Sequence, residues 1–121
     1  MVILGIDPGI AIVGYGIIEY KNNKFRVIDY GAVTTNANTP TDQRLALVYK
    51  GIDILIKNYN IDEVAIEELF FNKNVKTAIT VAQARGVIML ACTHNNKPIY
   101  EYTPLQVKQG VVGYGRAQKM Q

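Results

Sequence analysis

The stretch MVILGIDPGIAIVGYG, Met1 to Gly16, decides how the rest of the chain is read. Five apolar or small residues lead into Asp7, and Pro8-Gly9 follows at once. A run this apolar predicts a strand buried on both faces. A carboxylate at the end of such a strand is costly to desolvate without a cation, a hydrogen-bond network or water. Asp-Pro-Gly is also good turn chemistry, so Asp7 alone is read equally well as the start of a turn. A second carboxylate is needed to choose between the two.

That second carboxylate comes from the order of elements. Gly14–Tyr20 and Phe25–Tyr30 read as strands joined by the polar turn Lys21–Lys24, which predicts an antiparallel meander led by the Asp7 strand. Gly14 and Gly16 are expected to allow close backbone approach or a bulge. Thr39 as N-cap and Pro40 as first helical residue open a helix carrying Leu45, Val48, Ile52, Leu55 and Ile56 at helical spacing to about Asn58. Gly51 inside it disfavours helix by about 1 kcal/mol relative to Ala, which points to close packing there. Asp62–Glu68 (DEVAIEE) is the next strand. Strand, helix, strand implies a crossover to a parallel partner, most simply the opening strand. Asp7 and the Glu67-Glu68 pair then meet on the edge where ligands bind in open α/β sheets.

A loop, Leu69–Asn74, leads to a long helix from about Val75 to His94, with Ala78, Ala82 and Gly86 as a small-residue stripe. Such a stripe most often packs within one subunit; a dimer contact is the sharper alternative. Pro98–Tyr102 is a last short strand, and Thr103-Pro104 repeats the cap-plus-proline signal before a glycine-containing loop.

The whole chain, 121 residues with 49% hydrophobic residues, has the size of one domain with a sizeable core. No uninterrupted apolar run approaches the roughly 20 residues of a membrane span, and Asp7 cuts short any leader-like segment. One cysteine, Cys92, and one histidine, His94, exclude a disulfide framework, a zinc cluster and a Ser-His-Asp site. Cys92 is read as a small core residue and His94 as a helix-end cap. A reduced, cytoplasmic setting is the expectation. The net charge of +3 is unevenly spread: residues 1–68 hold nine acids and six bases, residues 69–121 one acid and seven bases. That asymmetry suits a polyanionic partner, although on charge alone a solubilising basic face is the slightly simpler explanation.

Paired carboxylates serve acid/base chemistry, hard-cation binding, or both together in two-Mg²⁺ phosphodiester hydrolysis. Phe70 and Phe71 directly after the acidic edge are suited to stacking on or wedging between bases, with Lys73 and Lys76 for the backbone charge. Consecutive aromatics are more often core, and each lysine alone is more often a solvated surface residue. The cluster beside the carboxylates is what favours nucleic acid.

GIDPG near the start, AIEELFFNKN after the second carboxylate strand, AQARG in the long helix and EYTPLQVKQGVVGYGRAQKMQ together resemble the RuvC family of bacterial Holliday junction resolvases, along the whole chain. The resemblance implies one RNase H-like nuclease domain over 1–121: an α/β fold with a mixed five-stranded sheet flanked by helices. It also implies a homodimer that binds four-way DNA junctions and nicks them symmetrically with Mg²⁺, two ions per site, in recombination and repair, alongside branch-migration helicases. By position, Asp7 and Glu67 match catalytic metal-binding carboxylates, Glu67 being preferred over Glu68 because it directly follows Ala65-Ile66. Phe70 matches an aromatic that stacks at the junction. Lys108 and Lys119 match basic residues near the scissile phosphate, Lys108 with a catalytic role, and Arg116 joins the DNA-binding set with Phe71, Lys73 and Lys76. The helix with Ala78, Ala82 and Gly86 matches the dimer helix. Relatives often have polar residues where this chain has Ile10–Val13. They also continue into a helix with further acidic ligands, so a chain ending at Gln121 is expected to cleave weakly or not at all. Two rival classes share parts of the pattern: actin- and sugar-kinase-like ATPases, which also open on a strand, an acid and a phosphate-holding turn, and a non-catalytic junction-binding module.

Overall fold

The structure, a computed structural model, describes residues 1–68 and 74–102. Five strands and two helices follow one another as β1 (Val2–Asp7), β2 (Ile12–Lys21), β3 (Lys24–Thr34), α1 (Thr41–Asn58), β4 (Glu63–Glu67), α2 (Val75–His94) and β5 (Ile99–Tyr102). The sheet order is β3-β2-β1-β4-β5, antiparallel between β1, β2 and β3 and parallel from β1 through β4 to β5. The expected mixed five-stranded sheet is therefore present, and β1 is the strand at which the order of connection reverses.

Local chemistry explains the turns. Asn22 and Asn23 both have positive φ, 54° and 61°, the geometry of a two-residue type I′ hairpin that asparagine tolerates. β2 and β3 are longer than the sequence pattern suggests. β3 runs through Gly31 to Thr34 because Gly14↔Ala32 and Ile12↔Thr34 continue the ladder. The bulge falls at Ile17/Ile18, where Ile28 is the extra residue on β3, rather than at Gly14 or Gly16. Helix α1 begins one residue later than expected: Pro40, in an extended conformation, takes the N-cap position that Thr39 was expected to fill. Both helices end before an asparagine in the left-handed region, Asn60 and Asn96, which frees the last turn to close.

The apolar faces of both helices meet one face of the sheet. Leu4, Ile6, Val13, Ile17, Val64 and Ile66 from the strands pack with Val48, Ile52 and Ile56 from α1 and Ile88, Ala91 and Cys92 from α2. Gly51 is where α1 crosses β3: a Cβ there would lie 2.8 Å from a methyl of Val33. Strand alternation sends Ile3, Gly5 and Asp7 of β1 to the opposite face, together with Gly14, Gly16, Ala65, Glu67, Tyr100 and Tyr102 by register. No described helix covers that face.

Helix α2, although no uninterrupted apolar run, is the described helix that bears on apolar length. By length and composition it could cross a membrane, with a mean hydropathy of 1.3 over 18 residues, of which only 22% are buried. One side of it, through Ile88, Ala91 and Cys92, joins the core, Arg85 pairs with Glu101 of β5 at 2.5 Å, and the outer face is apolar and exposed.

Candidate active site

Two neighbouring parallel strands end together. Ile6 of β1 lies opposite Ile66 of β4, so the next residues, Asp7 and Glu67, stand side by side on the face that no described helix covers. Their side chains lie within hydrogen-bonding reach of each other. Partial burial, the neighbouring Asp7 charge and that contact all hold the Glu67 carboxyl above the usual range. Glu68 does something different. Its backbone N–H donates to Tyr102 O at 2.5 Å, and alternation turns its side chain away from Asp7. Of the two adjacent glutamates, Glu67 is the one placed beside Asp7.

The loop after Asp7 is tightly specified. A Cβ at Gly9 would run into the carbonyl oxygen of Ile12, so only glycine lets the chain turn back into β2 this closely. The far side of the loop is tied to the start of α1. Thr35 Oγ1 donates to Ile10 O at 2.5 Å, Thr35 N–H donates to Ala11 O at 3.0 Å, and Arg44 Nε donates to Thr35 Oγ1 at 2.9 Å. Asp62 performs the same service at the strands' other end, accepting from Val2 N–H at 2.7 Å while its own N–H donates to Val2 O. Sequence reasoning missed Thr35, Arg44 and Asp62. Thr35 and Arg44 lie 28 and 37 positions after Asp7 and follow no local motif.

Beside Asp7, on the β2 side, is Gly14, where a Cβ would touch the Asp7 Cβ at 3.7 Å. On the other side, Glu67 lies opposite Tyr102 of β5. Across the sheet edge the row therefore reads Gly14, Asp7, Glu67, Tyr102.

Of the expected DNA contacts, Lys76 is described: it sits exposed in the first turn of α2, its N–H capped by the Asn74 side chain at 3.1 Å. That turn follows directly on residues 69–73. Phe70, Phe71, Lys73, Lys108, Arg116 and Lys119 lie outside the described residues. Of the stripe expected at a dimer contact, Ala82 and Gly86 are exposed and Ala78 is half-buried; the small residues that pack inward are Ala84 and Ala91. His94, expected as a cap, bonds through Nδ1 to the Tyr49 hydroxyl of α1 at 2.5 Å. Cys92 is buried, with its thiol pushed up to about 11 by burial, as a small core residue should be.

Chemically, the pair offers only oxygen donors, and among the described residues no cluster of three or more His, Cys, Asp or Glu forms. Two repelling carboxylates with a raised glutamate suit a hard cation, which removes the repulsion and takes up its remaining coordination from phosphate oxygens and water.

Comparison with known proteins agrees with this geometry. A family model described as crossover junction endodeoxyribonuclease RuvC matches residues 3–121. A protein of that name from Clostridioides difficile (strain 630) is 81% identical over 121 residues, which span all of this chain and 72% of that relative. Another from Alkaliphilus oremlandii is 63% identical over the same span, 74% of its length. The Thermus thermophilus RuvC structure in complex with Holliday junction substrate superimposes with a TM-score of 0.83 at 31% identity, covering 90% of this chain and 68% of that one. The chain belongs to the crossover junction endodeoxyribonuclease RuvC family.

Proposed function

We propose that this protein is an endodeoxyribonuclease that binds four-way (Holliday) junction DNA and hydrolyses phosphodiester bonds symmetrically, in recombination and repair. The observation that carries the proposal is the Asp7–Glu67 pair, side by side at adjacent strand ends on a sheet face that no described helix covers, in a chain of this family. A divalent cation held by Asp7 and Glu67, Mg²⁺ by the hardness of the donors and two ions in the fullest form, would supply charge neutralisation and an activated water at the phosphorus.

The chain's own residues do the rest. Burial and the neighbouring Asp7 charge disfavour the ionised form of Glu67, and a cation beside the pair would relieve that penalty. The Gly9 turn and the Thr35–Arg44 brace hold Asp7 at its height beside Glu67. Preorganisation of this kind counts, because charge must be met where it develops, with no reorganisation at the moment of reaction. Lys76, together with Phe70, Phe71, Lys73, Arg116 and Lys119, is assigned to the DNA: lysines and Arg116 to the phosphates, aromatics to unstacked bases at the branch. Lys108 is assigned to the scissile phosphate.

Symmetric nicking needs two sites. Val75, Ile79 and Leu90 are 70%, 55% and 48% exposed, and with Ala82 and Gly86 they recur on one line along α2 at spacings of four, three, four and four. That seam fits a second copy of the same helix, with Ala82 and Gly86 admitting close approach. Branch-migration helicases are assigned as partners and the cytoplasm as the place of action.

The test is cleavage of a synthetic four-way junction by the full-length protein with Mg²⁺. Asp7→Asn is expected to lose at least a hundredfold in rate while still binding the junction, and unchanged nicking would sink the catalytic assignment. Duplex and RNA–DNA hybrid controls establish whether the four-way branch is what is recognised. ATP binding without DNA affinity would return the ATPase reading.

A further inference from the structure

The carboxylate pair is flanked unequally, and the two sides differ in what they offer a nucleic acid. In the row Gly14, Asp7, Glu67, Tyr102, neighbouring strands stand about 4.8 Å apart, so the Tyr102 ring rises one strand away from Glu67. On the other side Gly14 leaves the surface flat. Tyr102 and Glu67 share a face because they are directly opposed in a parallel ladder. Glu101, between Tyr100 and Tyr102, points the other way, to Arg85 of α2, so the two tyrosines face away from the core. Tyr100 is 49% and Tyr102 40% exposed, beside the small residues Ala65, Gly5 and Gly16. Neither tyrosine contributes to the buried cluster. The position of β5 is fixed independently, by the Glu68 N–H to Tyr102 O bond and the Arg85–Glu101 pair. An aromatic ring one strand from the phosphodiester-cleaving pair, outside the buried cluster and partly exposed on the same face, is placed to meet the substrate.

We propose that Tyr102 is a substrate-contacting residue: its ring packs against the nucleotide flanking the scissile phosphate on the β5 side. The flat Gly14 side then carries the other flanking nucleotide past the sheet. The inference rests on the assignment of Asp7 and Glu67 as the cleaving pair and adds the direction in which the strand crosses them. Base–aromatic contact of this kind is tolerant of sequence, so Tyr102 fixes position rather than base identity.

The experiment is steady-state and single-turnover nicking of a four-way junction by full-length wild type, Tyr102→Ala, Tyr102→Phe and Asp7→Asn. Tyr102→Ala is expected to raise KM by roughly 5- to 100-fold, with a smaller effect on kcat and an unchanged Tm, and Tyr102→Phe to restore most of the loss. A junction carrying 5-iododeoxyuridine next to the nick site, irradiated with the binding-competent Asp7→Asn protein, is expected to crosslink to Tyr102. Wild-type KM in Tyr102→Ala overturns the proposal. So does a defect matched by a fall in Tm, or a crosslink that maps elsewhere. If Asp7→Asn also cleaves normally, it is the underlying assignment that has failed; if only Asp7→Asn loses cleavage, it is the role of Tyr102.

Discussion

At the scale of single residues, Glu67 shows how a site can be built against stability. Its folded pKa is raised, first by burial and then by Asp7, so the folded state binds this proton more tightly than the unfolded chain does. Stability from this group is full below the unfolded value, about 4.3, and falls as pH rises toward the folded value. Glu67→Gln removes the repulsion. It is expected to raise the metal-free Tm at neutral pH by a few degrees while abolishing nicking, as read by calorimetry and junction cleavage. A lower Tm would mean that the pair is not strained in the way described. Gly9→Ala should act in the opposite sense. Its Cβ meets backbone rather than a movable side chain, and the strain of forcing it in is of the order of 1–3 kcal/mol. The melting temperature should fall, and nicking with it, since the displaced loop is the one that seats Asp7. Asp7 and Glu67 were legible because each ends an apolar run. Thr35 and Arg44 were not, because a hydroxyl capping a distant carbonyl follows no local pattern.

At the scale of elements, the boundaries of α2 coincide with its sequence pattern, and those of α1 differ by one residue at Pro40. Helix α1 is marked by its apolar stripe, whereas α2 is apolar nearly all round and is delimited by the Asn74 cap and the left-handed Asn96. The length of β3 was harder to see. Gly31-Ala32 looks like the end of a strand, yet Gly31 is needed where the Tyr15 ring lies across it: a Cβ there would be 3.0 Å from the Tyr15 hydroxyl oxygen. Gly51 can be tested by a double-mutant cycle. Gly51→Ala gains about 1 kcal/mol of helix propensity but drives a Cβ to within 3 Å of both Val33 methyls, and overpacking of this kind costs about 1–3 kcal/mol. Gly51→Ala alone is therefore expected to destabilise in urea melts, and to become neutral or stabilising in a Val33→Ala background. Equal effects in the two backgrounds would show that the helix and strand do not touch there.

At the scale of the whole molecule, the sheet divides the labour. One face carries the core, and the other presents the carboxylates. Topology made this half-legible: the crossover predicted that Asp7 and Glu67 meet, but period-two alternation alone does not say which face a helix will cover. The division also shapes the response to pH. On the α1 side, Tyr59, next after the helix, donates its hydroxyl to Asp29 of β3 at 2.8 Å and is the largest cause of that carboxyl's lowered pKa. Asn95, just past α2, donates to Asp53 of α1 at 2.8 Å and is the largest cause of its lowering, with Lys57 next. Both aspartates bind protons less tightly folded than unfolded. Their stabilisation is present above about pH 3.9 and is lost as pH falls through the lower folded values. Glu67 acts with the opposite sign at higher pH. Stability without metal should therefore rise from strongly acid pH, then decline as Glu67 ionises beside Asp7. Urea midpoints measured across that range are expected to show both limbs. Mg²⁺ should flatten the upper limb by neutralising the pair and leave the lower one unchanged, because Asp29 and Asp53 lie away from the carboxylate edge. A magnesium effect confined to the acid limb, or an upper limb that survives Glu67→Gln, would show that the decline belongs to other groups.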